Sequence, residues 1–144
     1  MGTTFLGDIP NGELTGPVST FASVASAGAS SQAVIPWRAP QKIKLTSALF
    51  APDTVIQNST GATASYRRIT LINGGQLGTG TVVLGSINLN ASQDSLATRA
   101  FTLASNPTMT KGDVLITKQE TVGAADAEGT VLRAGMVQAN FLPR

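Results

Sequence analysis

The segment QKIKLTSALF (residues 41–50) decides the fold class of this chain. Its residues alternate, so that Ile43, Leu45 and Leu49 fall on one face of an extended strand while both lysines fall on the other. Such alternation is typical of a strand with one face on a hydrophobic core and one face in solvent. A half-buried β-strand is therefore predicted for this segment.

Further segments rich in β-branched and aromatic residues are separated by turn signals. The run YRRITLI ends at Asn73-Gly74-Gly75, a combination that favours a tight turn. No helical period persists, although a short helical turn near residues 92–97 fits the sequence. The additional predicted strands are 66–72, 81–89 with a bulge at Gly85, 99–103, 113–122 and 131–141. This spacing predicts an all-β fold, either a small barrel or a β-sandwich, and it favours a single β-sandwich domain of jelly-roll-like architecture.

The first 36 residues differ from the rest of the chain in amino-acid composition and in hydrophobic pattern. They are rich in Gly, Ser, Thr, Ala and Pro, and their apolar residues keep neither a helical nor a strand period. Such a segment alone buries too little apolar surface to offset its ordering entropy. We therefore predict an extended N-terminal arm over residues 1–36 and a β-sandwich domain over residues 37–144.

Two interpretations of this arm stay open. It is either a disordered tail or an arm that becomes ordered on a partner, with a reach of roughly 100 Å when fully stretched. The apolar residues at its very start favour the second interpretation. The predicted partner contacts in the arm are Phe5, Leu6, Ile9 and Phe21.

Trp37 opens the predicted domain between Pro36 and Arg38. A lone Trp at this place usually plugs one end of a β core. Trp and Arg are also the commonest binding hot spots, so the same two residues are candidates for an interface. Trp37 and Arg38 therefore join the predicted partner contacts.

The composition speaks against catalysis. The chain contains no histidine and no cysteine, the residues that supply most proton shuttles and transition-metal ligands. Its acidic residues are scattered, and Asp126 with Glu128 fits a solvated turn better than a Ca²⁺ site. We expect a protein that is not an enzyme, with no catalytic residues, no cofactor and no metal site.

Nucleic acids and membranes are also poor matches. The glycine-rich run GGQLGTG (residues 74–80) lacks the Lys and Ser or Thr that close a phosphate-binding loop. The net charge of +2 and the dispersed Lys and Arg argue against nucleic-acid binding. The most apolar stretch, residues 21–37, is too diluted to span a bilayer. Because the start of the chain shows no secretory signal, we expect synthesis in a cytoplasm.

The scarcity of charge indicates association. Soluble monomers carry roughly 25% charged residues, whereas this chain carries 12%. A surface with so little charge repels other proteins weakly and allows close packing against them. The sequence therefore favours an oligomer or a component of a larger assembly.

Taken together, the arm, the opening Pro36-Trp37-Arg38-Ala39-Pro40 and the strand KGDVLI (residues 111–116) resemble small structural proteins of tailed-bacteriophage virions. The chain is most similar in texture to the capsid decoration, or cement, proteins. The resemblance covers roughly residues 36–143 and rests on architecture. It implies a homotrimer on the outer surface of an icosahedral phage capsid, made in the host cytoplasm, that binds the major capsid protein and stabilises the shell.

Two other functions compete with this interpretation. The first is a receptor- or glycan-binding β domain of a phage fibre, tail or head fibre, although few aromatic residues are present to stack on sugars. The second is an enzyme, in which Asp113 or Glu120 would be the residues to replace.

Overall fold

A computed structural model describes residues 14–21, 30–52, 66–89, 98–122 and 135–144. These residues form ten β-strands and no helix, so none of them belongs to a helix that could cross a membrane. The strands are β1 (Leu14–Phe21), β2 (Ser30–Arg38), β3 (Ile43–Pro52), β4 (Tyr66–Asn73), β5 (Val82–Leu89), β6 (Arg99–Ala100), β7 (Thr102–Leu103), β8 (Thr108–Met109), β9 (Val114–Val122) and β10 (Gly135–Pro143).

The strands pair into two antiparallel sheets. One has the order β1-β10-β3-β6, with β8 also paired to β3, and the other has the order β2-β9-β4-β5-β7. The first four strands alternate between the sheets, and the last two return to lie between earlier strands. This arrangement is that of a jelly roll. The predicted all-β, sandwich-type fold is confirmed.

One hydrophobic core lies between the sheets. Apolar side chains from both inner faces are fully buried in it, which is how two packed sheets stabilise each other. Trp37 packs at the margin of this core, with its ring stacked on that of Phe141 at a centroid distance of 5.3 Å. The largest core side chains are Ile43, Leu45, Phe50, Ile69, Leu71, Leu84, Met109, Leu115 and Phe141.

A β-bulge in β3 corrects the predicted face of Leu49. Ile43 and Leu45 point into the core as predicted, but the register to β10 shifts between its residues 140 and 141, which leaves Thr46 as an extra residue in β3. Beyond that point the alternation is displaced by one residue. Ala48 and Phe50 are therefore buried, and Leu49 is only half-buried.

The bulge predicted in β5 is confirmed. Leu71 pairs with Gly85 and Ile72 pairs with Val83, so Leu84 is the extra residue. Its side chain is fully buried in the core. The shift lets β5 place both Leu84 and Leu89 inward although they are five positions apart, an offset that puts residues on opposite faces of a regular strand.

Part of the predicted arm contributes strands to the sheets. Residues 14–21 pair with β10, and residues 30–38 pair with β9, so β1 and β2 form one edge of each sheet. The register shifts around Pro17 in β1 and around Pro36 in β2. The domain boundary at residue 36 stays a prediction.

Several sequence predictions fall on residues outside the described ranges. They include the helical turn at 92–97 and the arm contacts Phe5, Leu6 and Ile9. The turn that carries Asp126 and Glu128 is also outside. Phe21 lies at the end of β1, where its backbone is paired with Gly135.

Replacing Gly135 by alanine is expected to destabilise the fold. A Cβ at this position would lie 2.5 Å from Phe50 Cε2 and 2.7 Å from the Ala51 carbonyl oxygen, so β10 and the Phe50 ring would have to move. Such overpacking costs about 1–3 kcal/mol. The free energy of unfolding, measured in urea, should fall by that amount for Gly135→Ala. The neighbouring Met136→Ala, at an exposed position, should lose less than half as much; equal losses would contradict this account.

Candidate functional site

Three connections meet at one end of the sandwich. They are residues 39–42 after β2, residues 74–81 between β4 and β5, and residues 110–113 before β9, and we call them together the loop end. Backbone hydrogen bonds join them: Ala39 N–H donates to the Asp113 carbonyl at 2.9 Å, and Gly112 N–H donates to the Ala39 carbonyl at 2.8 Å. The loop end is thus one connected structure.

The buried carboxylate of Asp113 lies at its centre. Asp113 is 6% exposed, and its Oδ2 accepts hydrogen bonds at 2.8 Å from both Thr110 N–H and the Asn73 side-chain amide. Burial alone would raise the pKa of the Asp113 carboxyl. The hydrogen bonds from Thr110 and Asn73 outweigh burial and hold this pKa below its ordinary value of 3.8. Asp113 is therefore ionised in the folded protein at neutral pH.

Arg38 ties the connections together from outside. Its Nη1 donates to the Gln76 carbonyl and to the Gly112 carbonyl, each at 2.8 Å. Gln76 Nε2 donates in turn to the Lys111 carbonyl at 3.3 Å. Because the guanidinium presents several donors in a fixed plane, one side chain holds two loops at a set distance.

The glycine-rich connection 74–81 is a folded turn. Gly75 and Gly78 have φ values of 64° and 73°, which glycine adopts without strain, and the Asn73 side-chain oxygen accepts from Gly75 N–H at 2.8 Å. The turn lies over a small apolar cluster of Ile72, Val114 and Ile116 on the outer face of its sheet. The connection is thus held both by hydrogen bonds and by packing.

This turn and the start of β5 display apolar side chains to solvent. Leu77 is 88% exposed, Val82 is 63% exposed and Val83 is 48% exposed, all on the hairpin of β4 and β5. We call these three residues the loop surface. Exposed apolar side chains on a rigid frame are candidates for an interaction site, and Leu77 is the most exposed large apolar residue of the described part of the chain.

A polar groove of about 430 Å³ runs beside the loop surface, along the outer face of the same sheet. Lys118 Nζ lies 2.6 Å from a Glu120 carboxylate oxygen, and Arg68 donates to Asn88 Oδ1 at 3.2 Å while its Nη1 lies 3.9 Å from Glu120. The charges of this groove are thus largely engaged with one another.

A second groove, also of about 430 Å³, lies where β3 and β10 of one sheet meet β7 of the other and the connection that follows β7. Its walls are mainly apolar, its charged side chains are two cations, and no acidic side chain is among the described residues that line it. We call it the basic groove. Six of the residues that line it are Lys44, Leu103, Pro107, Leu142, Pro143 and Arg144.

The structure places Trp37 and Arg38 next to each other but in different roles. Trp37 lies half-buried on the core against Phe141, which matches the core-plug interpretation of this residue. Arg38 is exposed and holds the loops of its own chain. A contact of either residue with a partner stays a prediction.

Sequence reasoning missed Leu77 and the part played by Asp113. The available signals were a lone leucine within a glycine-rich turn and an aspartate at the start of a strand that follows a Lys-Gly turn. Among the described residues, no group of three acidic side chains is placed to hold a metal ion.

Comparisons with known proteins identify no family. No family model matches the chain, and no curated protein matches it. Among solved structures, the chain is similar to a chain in the structure of infectious bursal disease virus, Gx strain, with a TM-score of 0.39 and 11% identity. The match covers 90% of the present chain and 32% of the viral one, so the present chain spans about a third of that length.

Replacing Asp113 by asparagine is expected to destabilise the loop end in a pH-dependent way. The variant keeps the shape but loses a charge that accepts two hydrogen bonds, worth about 1–3 kcal/mol at neutral pH. Because folding lowers the pKa of Asp113, its contribution is present above the unfolded value of 3.8 and is lost as the pH falls through the lower folded value.

Urea unfolding of both proteins between pH 7 and pH 2 tests this expectation. The stability difference between the original protein and Asp113→Asn should be constant at neutral pH and should shrink below about pH 4. A difference that stays constant down to pH 2 would contradict the assigned role of the carboxylate.

Proposed function

We propose that this chain is a structural virion protein, a homotrimer that binds the outer surface of an icosahedral phage capsid and stabilises the shell. The observation that carries the proposal is the loop surface, an exposed apolar group on a frame held rigid by Asp113 and Arg38. In this proposal Leu77 is the central contact with the major capsid protein. The protein is made in the host cytoplasm and ends on the capsid surface.

The energetics favour binding through such a surface. Burying a leucine side chain that is otherwise in water contributes about 1.5–3 kcal/mol. The contact is more effective when the side chain is displayed on a preorganised loop, because little ordering entropy is lost on binding. The Asp113 hydrogen bonds and the two Arg38 bonds provide this preorganisation.

Oligomerisation makes a small contact sufficient. One loop surface offers three apolar side chains, too little for tight binding by a single copy. Three copies joined in a trimer present three such surfaces at once, so the second and third contacts form at high effective concentration. The low charge of the chain supports close approach both to other copies and to the shell.

Replacing Leu77 by serine is expected to weaken shell binding without changing the oligomer. Co-sedimentation with shells assembled from the major capsid protein of the same genome should show an apparent Kd at least about tenfold higher, because roughly 1.4 kcal/mol of burial is lost at each contact. The control Thr79→Ser changes an exposed polar residue of the same turn and should bind as the original protein does.

Light scattering at micromolar concentration should report a mass of three 14.7 kDa chains for both variants. A monomer that also fails to bind shells would overturn the proposed function. Equal shell binding by Leu77→Ser and Thr79→Ser would show that the loop surface does not contact the shell.

A receptor- or glycan-binding domain is the second candidate function. The polar groove favours it, because Arg68, Lys118, Glu120 and Thr70 offer several hydrogen-bonding groups in one concave surface. Clear hits on a glycan array that disappear in Arg68→Ala, with shell binding absent, would rank this function first.

A further inference from the structure

The basic groove differs from the polar groove, because in it mainly apolar walls and two cations occur together, with no acidic side chain among the described residues that line it. Leu103 and Leu142 are half-buried, and Pro107 is buried at its base. Lys44 and Arg144 line the groove, and neither forms an ion pair with any residue in the described part of the chain. A ligand that fits this groove combines apolar side chains with negative charge.

The first thirteen residues of the chain have this composition. The sequence MGTTFLGDIPNGE contains Phe5, Leu6 and Ile9, two acidic residues and neither Lys nor Arg. The acids, Asp8 and Glu13, are a quarter of the eight in the whole chain. The apolar and acidic residues of this segment therefore complement the walls and the cations of the basic groove.

The segment also starts from the right place. Leu14, the first residue of β1, is paired with Phe141 of β10, and the three residues that follow Phe141, Leu142 to Arg144, line the groove. Thirteen extended residues reach about 45 Å, whereas a domain of this length has a radius of gyration of about 15 Å. The segment is thus long enough to leave its own subunit and reach a neighbour.

We propose that residues 1–13 of one copy bind in the basic groove of a second copy. The inference rests on the proposed function in one respect, because it requires the chain to self-associate. Phe5, Leu6 and Ile9 contact the apolar walls, and Asp8 pairs with Lys44. Every copy carries both the segment and the groove, so the same contact repeats from copy to copy, and in the proposed homotrimer it closes a ring of three. This exchange of N-terminal segments between copies is the contact that joins them.

Cysteine cross-linking in the full chain tests the proposal without background, because the native sequence has no cysteine. Leu6→Cys chains are co-expressed with Ser105→Cys chains, in which the new thiol lies in the groove wall. A short bismaleimide should join the two chains into a covalent dimer. The control pairs Leu6→Cys with Met136→Cys, an exposed position on the same sheet at the opposite end of β10, and should give little dimer.

Charge reversal provides a second measurement. Lys44→Glu in the Ser105→Cys chain should lower the yield of cross-linked dimer about fivefold, because an attraction becomes a repulsion. Adding Asp8→Lys to the Leu6→Cys chain should restore the yield. A loss without recovery would contradict the pairing of Asp8 with Lys44.

The remaining outcomes separate this inference from the proposed function. If light scattering still reports an oligomer but the dimer yield equals that of the Met136 control, the exchange is refuted and the self-association stands. A further chain carries both Leu6→Cys and Ser105→Cys. If this chain is cross-linked within itself while the co-expressed single-cysteine chains give no dimer, the segment binds its own subunit and the exchange is likewise refuted. If the protein is a monomer throughout, the exchange and the proposed homotrimer both fail.

Discussion

The buried carboxylate of Asp113 is the interaction on which the exposed surface of this protein depends. An ionised group that is 6% exposed must be compensated, and here Thr110 and Asn73 donate to the same oxygen. These two hydrogen bonds hold Asn73, at the end of β4, against the loop before β9. Since Arg38 then bridges the two loops from the solvent side, the turn that carries Leu77 has one fixed position. A polar interaction inside the loop end thereby sets the geometry of an apolar surface outside it.

The sequence was a good guide to the fold and a poor one to the surfaces. Strand positions could be predicted because alternation and turn residues are local properties, and the bulge at Gly85 was visible as a glycine within a strand pattern. The bulge that turns Leu49 away from the core was not visible, because it depends on the register between β3 and β10. The basic groove was missed for the same reason, because segments distant in sequence create it. Leu77 was missed although its turn is local, because a leucine in a turn either packs inward or stays exposed, and the sequence does not decide which.

Charge is scarce in this chain, and its distribution distinguishes the polar groove from the basic groove. On the sheet of β4 and β9, the charges of Arg68, Lys118 and Glu120 largely satisfy one another. In the basic groove, where β3 and β10 meet β7, Lys44 and Arg144 have no acidic side chain among the described residues that line it. The charges of the polar groove are thus paired with one another, whereas the described charges of the basic groove are all positive.

The prolines of the two long edge strands have a consequence for how copies of this protein can associate. Pro17 in β1 and Pro36 in β2 lack an N–H, and the pairing register is interrupted at each of them. A continuous backbone ladder to another molecule is therefore interrupted at these two edges, one on each sheet. Contacts between copies at β1 and β2 are left to side-chain surfaces of limited extent rather than to strand addition.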